Sequence, residues 1–546
     1  VNGDQAIAKI LRAEGIEWLA AFPAQTLIDQ VAREGIRPII PRHERTGVNM
    51  ADGFSRVKNG QSFGAFTMQT GPGAENALGG VAQAYADSIP ILLLPGGQPR
   101  SRTQVHPNFE AVPNYQGIVK WAASVNLVGR IPELLRRAFG QLRRGRPGPV
   151  LVEIPRDVAV EPFPGNSFEY RPVKPHKSAA DAHDVRDLVS ALLKASAPLI
   201  NAGHGALWAG ATEELVEFAD LTGVPVMTTL AGKSVFPENH PLSLGTGAHT
   251  GTLMVARFLE KADFVLGIGT SFTISPFTAP MPKKAVLAQV TNCPEDLDKD
   301  YRIELGAVGD ARLALRQMIE ETRRQLKASR QDHRRSAVGE IERLRAEFRA
   351  EWATRFGSDE VPINPYRVFA ELGRAVDPAR AIVTHDSGYP RDQLVPFWQA
   401  VTPRGYLGWG KSTQLGYGLG LALGAKLAAP EKQVVNIMGD AAFGMAGMDI
   451  ETAVRAEIPI LTIVLNNGVM THYAHHMPFA TDRWGSNRLG GRYAEVARAL
   501  GAYAERIEKP DELGPAMGRC LGANRQGQTA LLEVLTKEEE AIPKFW

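Results

Sequence analysis

The sequence predicts an α/β protein of three domains, each a mostly parallel sheet flanked by helices. Short apolar runs (FGAFTM, ILLLPG, PVLVEIP, ADFVLGIG, AIVTHD, VVNIMGD, ILTIVLNN) alternate with segments of helical apolar spacing, the pattern of strands joined by crossover helices. At 546 residues the chain is too long for one hydrophobic core, and two to four domains are expected. Two polar breaks then divide it into three blocks.

The first block covers 1–165. The break after it, FPGNSFEYRPVKPHKSAADAH (163–183), is rich in Pro and polar residues and reads as a linker. The second block covers 183–320. Next comes a stretch dominated by Arg, Glu, Lys and Gln, with apolar residues at helical spacing, read as a solvent-exposed connecting helix over 321–358. The third block covers 360–546. The first and third blocks share one plan, each with Gly-rich turns after apolar strands.

Composition narrows the function. Hydrophobic residues make up 44% and charged residues 22%, ordinary values for a globular protein. With 61 Lys and Arg against 59 Asp and Glu, the net charge of +2 gives no reason to expect a nucleic-acid partner. No apolar run is long enough to span a membrane, and VNGDQAIAKIL lacks the basic start and apolar core of a signal peptide. A cytoplasmic location is the default expectation. Cys293 and Cys520 cannot form a disulfide framework and read as buried small residues.

The chemistry concentrates in the third block. In NIMGDAAF (436–443) an apolar strand runs into Gly439, the lone carboxylate of Asp440, and then Ala441 and Ala442. Ligands of open parallel sheets sit outside the carboxyl ends of strands. The next strand, ILTIVL, ends in Asn466-Asn467-Gly468-Val469, with Asn467 27 positions beyond Asp440. That is about the length of a turn, helix and return strand, so the two ends are expected to be neighbours. Asp440 and Asn467 then offer two hard oxygens to one point, with the Val469 carbonyl as a third. Such a set suits Mg²⁺, which prefers one or two carboxylates plus substrate phosphates. The small residues after Asp440 let a helix N-terminus approach a phosphate. Taken singly, Asp440 reads as a helix N-cap and Asn466-Asn467 as a turn; the pair at this spacing favours a metal-bridged diphosphate.

GDAAF…LNNGVM resembles the metal-binding signature of the thiamine diphosphate enzymes, with Ala441 where the family has Gly. The similarity extends over nearly the whole chain. His43-Glu44-Arg45 with Ala51-Asp52-Gly53, Thr70-Gly71-Pro72-Gly73-Ala74 with Asn76, Ala86-Asp87-Ser88-Ile89-Pro90, and GKSVFPENHPLSLG (232–245) resemble elements of the acetolactate synthase branch. The resemblance implies a pyrimidine-binding first domain, a central nucleotide-fold domain and a diphosphate-binding third domain. It implies thiamine diphosphate and Mg²⁺ as cofactors, with Asp440, Asn467 and Val469 as metal ligands. Glu44 becomes the acid that activates the pyrimidine ring; standing alone, it reads as a helix-surface residue paired with Arg42 or Arg45. Leu415 matches the aliphatic wedge that bends the cofactor. Gly71, Asn76, Ser387, Gly388, Gly439, Ala441, Ala442 and Met470 match cofactor contacts. Beyond the metal loop, His472, Tyr473 and His476 fall where relatives place proton donors of the substrate pocket. No fourth ligand stands at zinc spacing to these histidines.

The resemblance further implies a homodimer whose sites each draw on two chains, with a homotetramer as the larger form. The expected reaction is decarboxylation and carboligation of a 2-oxo acid through an enamine or carbanion. The alternatives are a 2-hydroxyacyl-CoA lyase or acyl-CoA decarboxylase with the same cofactor, and a non-catalytic or regulatory protein on this fold. Glu110, in HPNFEAV, reads either as a replacement for a substrate-binding Gln or as a solvated loop residue. Thr291-Asn-Cys-Pro294 stands where relatives carry an acidic pair, so FAD is disfavoured, while ADP or CoA remains open.

Overall fold

The structure, a computed structural model, describes residues 1–326 and 333–546. It contains three six-stranded sheets in which every neighbouring pair is parallel. The first runs, in spatial order, Arg37–Ile39, Trp18–Ala21, Gly64–Met68, Ile91–Gly97, Val150–Pro155 and Trp121–Ser124. The third runs Tyr406–Leu407, Ala381–His385, Gln433–Gly439, Leu461–Asn466, Ala530–Leu535 and Tyr503–Ile507. Numbered within its own sheet, each reads 2-1-3-4-6-5. The central sheet differs: its strands, from Pro198–Ala202 to Leu305–Val308, take the order 3-2-1-4-5-6 of a dinucleotide-type fold.

Strands such as Gly64–Met68 and Leu461–Asn466 are buried on both faces, which is why they read as continuous apolar runs. The first and third sheets meet through the helices Glu44–Lys58 and Tyr417–Ala428, and the approach is close enough to require glycine. A Cβ on Gly53 would lie 2.1 Å from the Leu421 carbonyl oxygen, and one on Gly424 would lie 1.9 Å from that of Met50. Beside this contact Arg56 is buried between two carboxylates. Its Nε donates to Asp52 (2.5 Å), its Nη2 to Asp87 (2.9 Å) and its Nη1 to the Gly408 carbonyl (2.9 Å).

Two expectations need correction. The charged stretch is not solvent-exposed throughout. Ala311–Leu326 and His333–Phe356 are helical; residues 327–332 of the expected helix lie outside the described residues. The second helix buries Ile341, Leu344, Phe348 and Trp352, and Phe348 stacks on Phe397 with ring centroids 5.1 Å apart. The i, i+3, i+4 spacing of those four residues outweighs the charges around them. Cys293 is only half-buried and donates its thiol to Glu295 (3.1 Å), whereas Cys520 is buried.

Removing the Arg56 charge while keeping the stem leaves Asp52 and Asp87 buried without a cation. Arg56→Met is therefore expected to destabilise the protein by about 3–5 kcal/mol, read as a lower urea midpoint; an unchanged midpoint would show that the cluster contributes nothing.

Candidate active site

Adjacent strand ends build the site. Ala381–His385 runs into Asp386-Ser387-Gly388, and its neighbour Gln433–Gly439 runs into Asp440. The next strand, in register with Gly439 opposite Leu465, runs into Asn467. These ends flank the point where the strand order reverses, the position at which open α/β sheets bind ligands.

Asp440 is almost fully buried. Its Oδ1 accepts from the Ala441 N–H (2.8 Å) and its Oδ2 from the Gly468 N–H (2.9 Å). Asn467 Oδ1 accepts from the Val469 N–H (3.1 Å), while its Nδ2 donates to Thr471 (2.7 Å). Met470 N–H donates to Asn487 and Leu489 N–H to Gly468, so the chain around Val469 is held from a second segment. Each side-chain oxygen keeps a lone pair beyond these contacts, a donor set suited to a hard cation. Burial raises the pKa of Asp440 above the usual carboxylate value.

A cleft of about 450 Å³ opens over these ends, within the range of cofactor sites. Ser387, Gly388, Gly439, Ala441, Ala442 and Met470 line it together with Asp440, Asn467 and Val469. The Ser387 hydroxyl is buried there with no hydrogen-bond partner among the described residues, and so is available to an anionic oxygen. Leu415 stands in the wall of the cleft, half-buried against the core between the first and third sheets. Gly416, at φ +80°, turns the chain sharply after it. The loop is tied from beneath by Asp386, which accepts from the backbone N–H groups of Ser387 (2.8 Å), Gly416 (3.0 Å) and Gly418 (2.8 Å). His472, Tyr473 and His476 line the cleft on a short helix, and Tyr473 is half exposed.

Four of the residues singled out in the sequence do not line this cleft in the single chain. Glu44 begins the helix Glu44–Lys58, is buried, and accepts from Asn76 Nδ2 (3.1 Å). Asn76 belongs to the helix Pro72–Ala86, whose N-cap is Gly71. The ion pair that Glu44 would make as a surface residue does not form: Arg42 faces Glu451 (3.9 Å) and Arg45 donates to the Met445 carbonyl (3.1 Å). Glu110 lies away from the cleft and accepts from the Gln104 N–H.

Sequence reasoning missed the tail. Thr536, Lys537 and Glu539 line the cleft, and the chain beyond them crosses to the central domain, where Trp546 Nε1 donates to the Ala248 carbonyl (3.1 Å). Nothing local in TKEEEAIPKFW signals this placement. It also missed Arg391, buried beside the cleft and paired with Asp392 (2.7 Å). A second cavity, about 120 Å³, lies at the order reversal of the central sheet, lined by Gly203, Gly269 and Asn292.

Three stacked parallel-sheet units with an oxygen-lined cleft at the reversal point of the last define a class of multidomain α/β enzymes built to hold a diphosphate-bearing cofactor. Comparison with known proteins narrows the class. Residues 1–117 match the thiamine pyrophosphate enzyme N-terminal TPP binding domain, 185–318 the central domain and 386–534 the C-terminal TPP binding domain. The chain belongs to the thiamine pyrophosphate enzyme family, as a carboligase or decarboxylase dependent on that cofactor. It is 30% identical to the glyoxylate carboligase of Escherichia coli O157:H7 over 502 residues, covering 88% of this chain and 83% of that one. Over 529 residues it is 30% identical to the acetolactate synthase of Arthrospira platensis (92% and 88%). A probable acetolactate synthase large subunit of Methanocaldococcus jannaschii is 28% identical over 563 residues, covering 100% of this chain and 93% of that one. Among the described residues no helix is long and apolar enough to cross a membrane.

Because cations bind the ionised carboxylate, protons compete for Asp440 at a higher pH than they would for an exposed Asp. Thermal stabilisation by Mg²⁺ with thiamine diphosphate is expected to weaken as pH falls toward this raised pKa, and to vanish in Asp440→Ala at every pH. Stabilisation of Asp440→Ala equal to wild type would remove Asp440 from the site.

Proposed function

We propose that this enzyme decarboxylates a 2-oxo acid and joins the remaining acyl unit to a carbonyl acceptor, in the manner of acetolactate synthase. The observation that carries this reading is the convergence of Asp440, Asn467 and the unpartnered Ser387 hydroxyl in one cleft whose walls carry Leu415 and the His472–His476 helix. Relatives named acetolactate synthase and glyoxylate carboligase support carboligation as the outcome.

In this reading the side-chain oxygens of Asp440 and Asn467 and the Val469 carbonyl hold Mg²⁺. Ser387, Gly388, Gly439, Ala441, Ala442 and Met470 would hold the diphosphate, and Leu415 would support the rings from the wall of the cleft. Thiamine diphosphate, when bound, supplies the electron sink for carbanion chemistry. Glu44, buried at its helix start, would hydrogen-bond to the pyrimidine N1′. His472, Tyr473 and His476 deliver protons on the substrate side of the cleft.

Glu44, Gly71 and Asn76 lie outside the cleft of their own chain, so a second copy supplies them. The functional unit is a homodimer, with a homotetramer as the larger form. Exposed apolar residues support a partner face: Phe479 (73% exposed) and Trp484 (72%) follow the cleft helix, and Met445 and Met448 follow Asp440. Thr291-Asn-Cys-Pro294 stands where FAD-binding relatives carry an acidic pair, which supports catalysis without FAD. A cytoplasmic location goes with this reading; among the described residues no helix is long and apolar enough to cross a membrane.

Assays with thiamine diphosphate and Mg²⁺ are expected to show CO₂ release and a carboligation product from a small 2-oxo acid such as pyruvate or glyoxylate. Formyl-CoA release from a 2-hydroxyacyl-CoA as the sole activity would overturn the assignment. Glu44→Gln is expected to retain cofactor binding and lose about 10²–10⁴-fold in kcat. Shared sites predict complementation. Subunits of Glu44→Gln and Asp440→Ala, each inactive alone, should recover roughly a quarter of wild-type activity when reassorted one to one, since one site in four is then intact. No recovery in confirmed mixed dimers would place both residues in one chain's site.

A further inference from the structure

The mouth of the cleft carries a cluster of which the proposed reaction uses only His472. His472 caps the helix Tyr473–His476 with its backbone in the left-handed region (φ +71°), and His475 follows one turn later. Glu540 arrives from the C-terminal tail. Its Oε2 lies 3.2 Å from His475 Nε2 and 3.6 Å from His472 Nδ1. One ligand atom from each of the three residues falls within 4.8 Å of the others.

We propose that His472, His475 and Glu540 form a binding site for a divalent ion of the zinc class, separate from the cofactor metal. Two imidazoles and one carboxylate are a ligand set for Zn²⁺ or Co²⁺, with a fourth position open to water; Mg²⁺ prefers oxygen ligands throughout. Distance supports the assignment. A tetrahedral ion bonded at roughly 2.0–2.1 Å places its ligand atoms roughly 3.3–3.4 Å apart. The two separations from Glu540 bracket that value, the ligand nitrogens of the two histidines lie within 4.8 Å of each other, and 3.6 Å is too long for a direct hydrogen bond between His472 and Glu540.

The carboxylate is positioned independently of any ion. On either side of Glu540 the tail is tied down: Glu538 accepts from the His472 N–H (3.0 Å), Gln393 donates to the Glu539 carbonyl (2.8 Å), and Tyr366 donates to the Ala541 carbonyl (2.6 Å). Such outer contacts lower the ordering cost of a metal site. A bound ion would join the tail to the helix that carries His472, Tyr473 and His476 at the cleft.

The full chain, stripped of metal and then saturated with Mg²⁺ and thiamine diphosphate, is titrated with Co²⁺ as the probe. The expected result is one equivalent of Co²⁺ with tetrahedral visible absorption, displaced by Zn²⁺. His475→Ala and Glu540→Gln should each weaken it about tenfold or more, while both keep the thermal shift given by Mg²⁺ and cofactor, which shows that they are folded. In Asp440→Asn the band should persist. No tetrahedral band in the wild type, equal binding in both variants, or a band lost in Asp440→Asn and kept in His475→Ala would each overturn the proposal.

Discussion

The position of the cleft depends on a guanidinium buried where the first and third sheets meet. Arg56 is enclosed by Asp52, Asp87 and the Gly408 carbonyl, and the Tyr417 hydroxyl donates to Asp52 (2.9 Å). Two carboxylates and one cation are costly to desolvate, and the compensation comes from a nearly complete set of hydrogen bonds. Some of those bonds do more than satisfy charge. Asp87 accepts from the Gly410 N–H (3.3 Å) and the Lys411 N–H (3.2 Å), and Gln83, itself a donor to Asp87 (3.0 Å), accepts from the Gln414 N–H (3.2 Å). The first domain thereby fixes the loop of the third domain that presents Leu415 to the cleft.

The same loop is fixed from its own sheet by Asp386, so Leu415 is held between two independent clamps. The steric side of the arrangement is equally strict. The helices Glu44–Lys58 and Tyr417–Ala428 approach until backbone meets backbone at Gly53 and Gly424, leaving no room for a methyl group. Interdigitation that tight has no neighbouring register to slip into, which makes the relative placement of two domains a packing property, not a linker property.

Much of the fold was legible because parallel strands buried on both faces write themselves as unbroken apolar runs, as in VVNIM and ILTIVL. The closeness of Asp440 to Asn467 was legible for a related reason: a crossover unit has a narrow range of lengths, and 27 residues fall inside it. The exposed connecting helix was misread because charge is counted along the sequence, whereas burial follows one face; four apolar side chains in a run of Arg and Glu are enough to anchor His333–Phe356. The tail was illegible for a different reason. Its contacts, from Tyr366 to Ala541 and from Gly251 to Pro543, join segments far apart in the chain, and no periodicity within TKEEEAIPKFW encodes a partner. Glu540 beside His472 and His475 is a product of that long-range closure, which is why sequence spacing offered the histidines no further ligand.

Two carboxylates stand at the reversal point of the third sheet, and burial raises the pKa of both, that of Asp386 to about 6. Their surroundings divide the labour between them. Asp386 accepts three backbone N–H groups on its two oxygens and is walled in by the loop it holds. Asp440 accepts two, one on each oxygen, and borders open space. A carboxylate held by three donors and shut off from the cleft can only position; one that keeps lone pairs toward the cleft can bind a cation, which relieves the cost of its own burial. The hydrogen-bond count, more than the shifted pKa the two share, separates the structural acid from the candidate ligand.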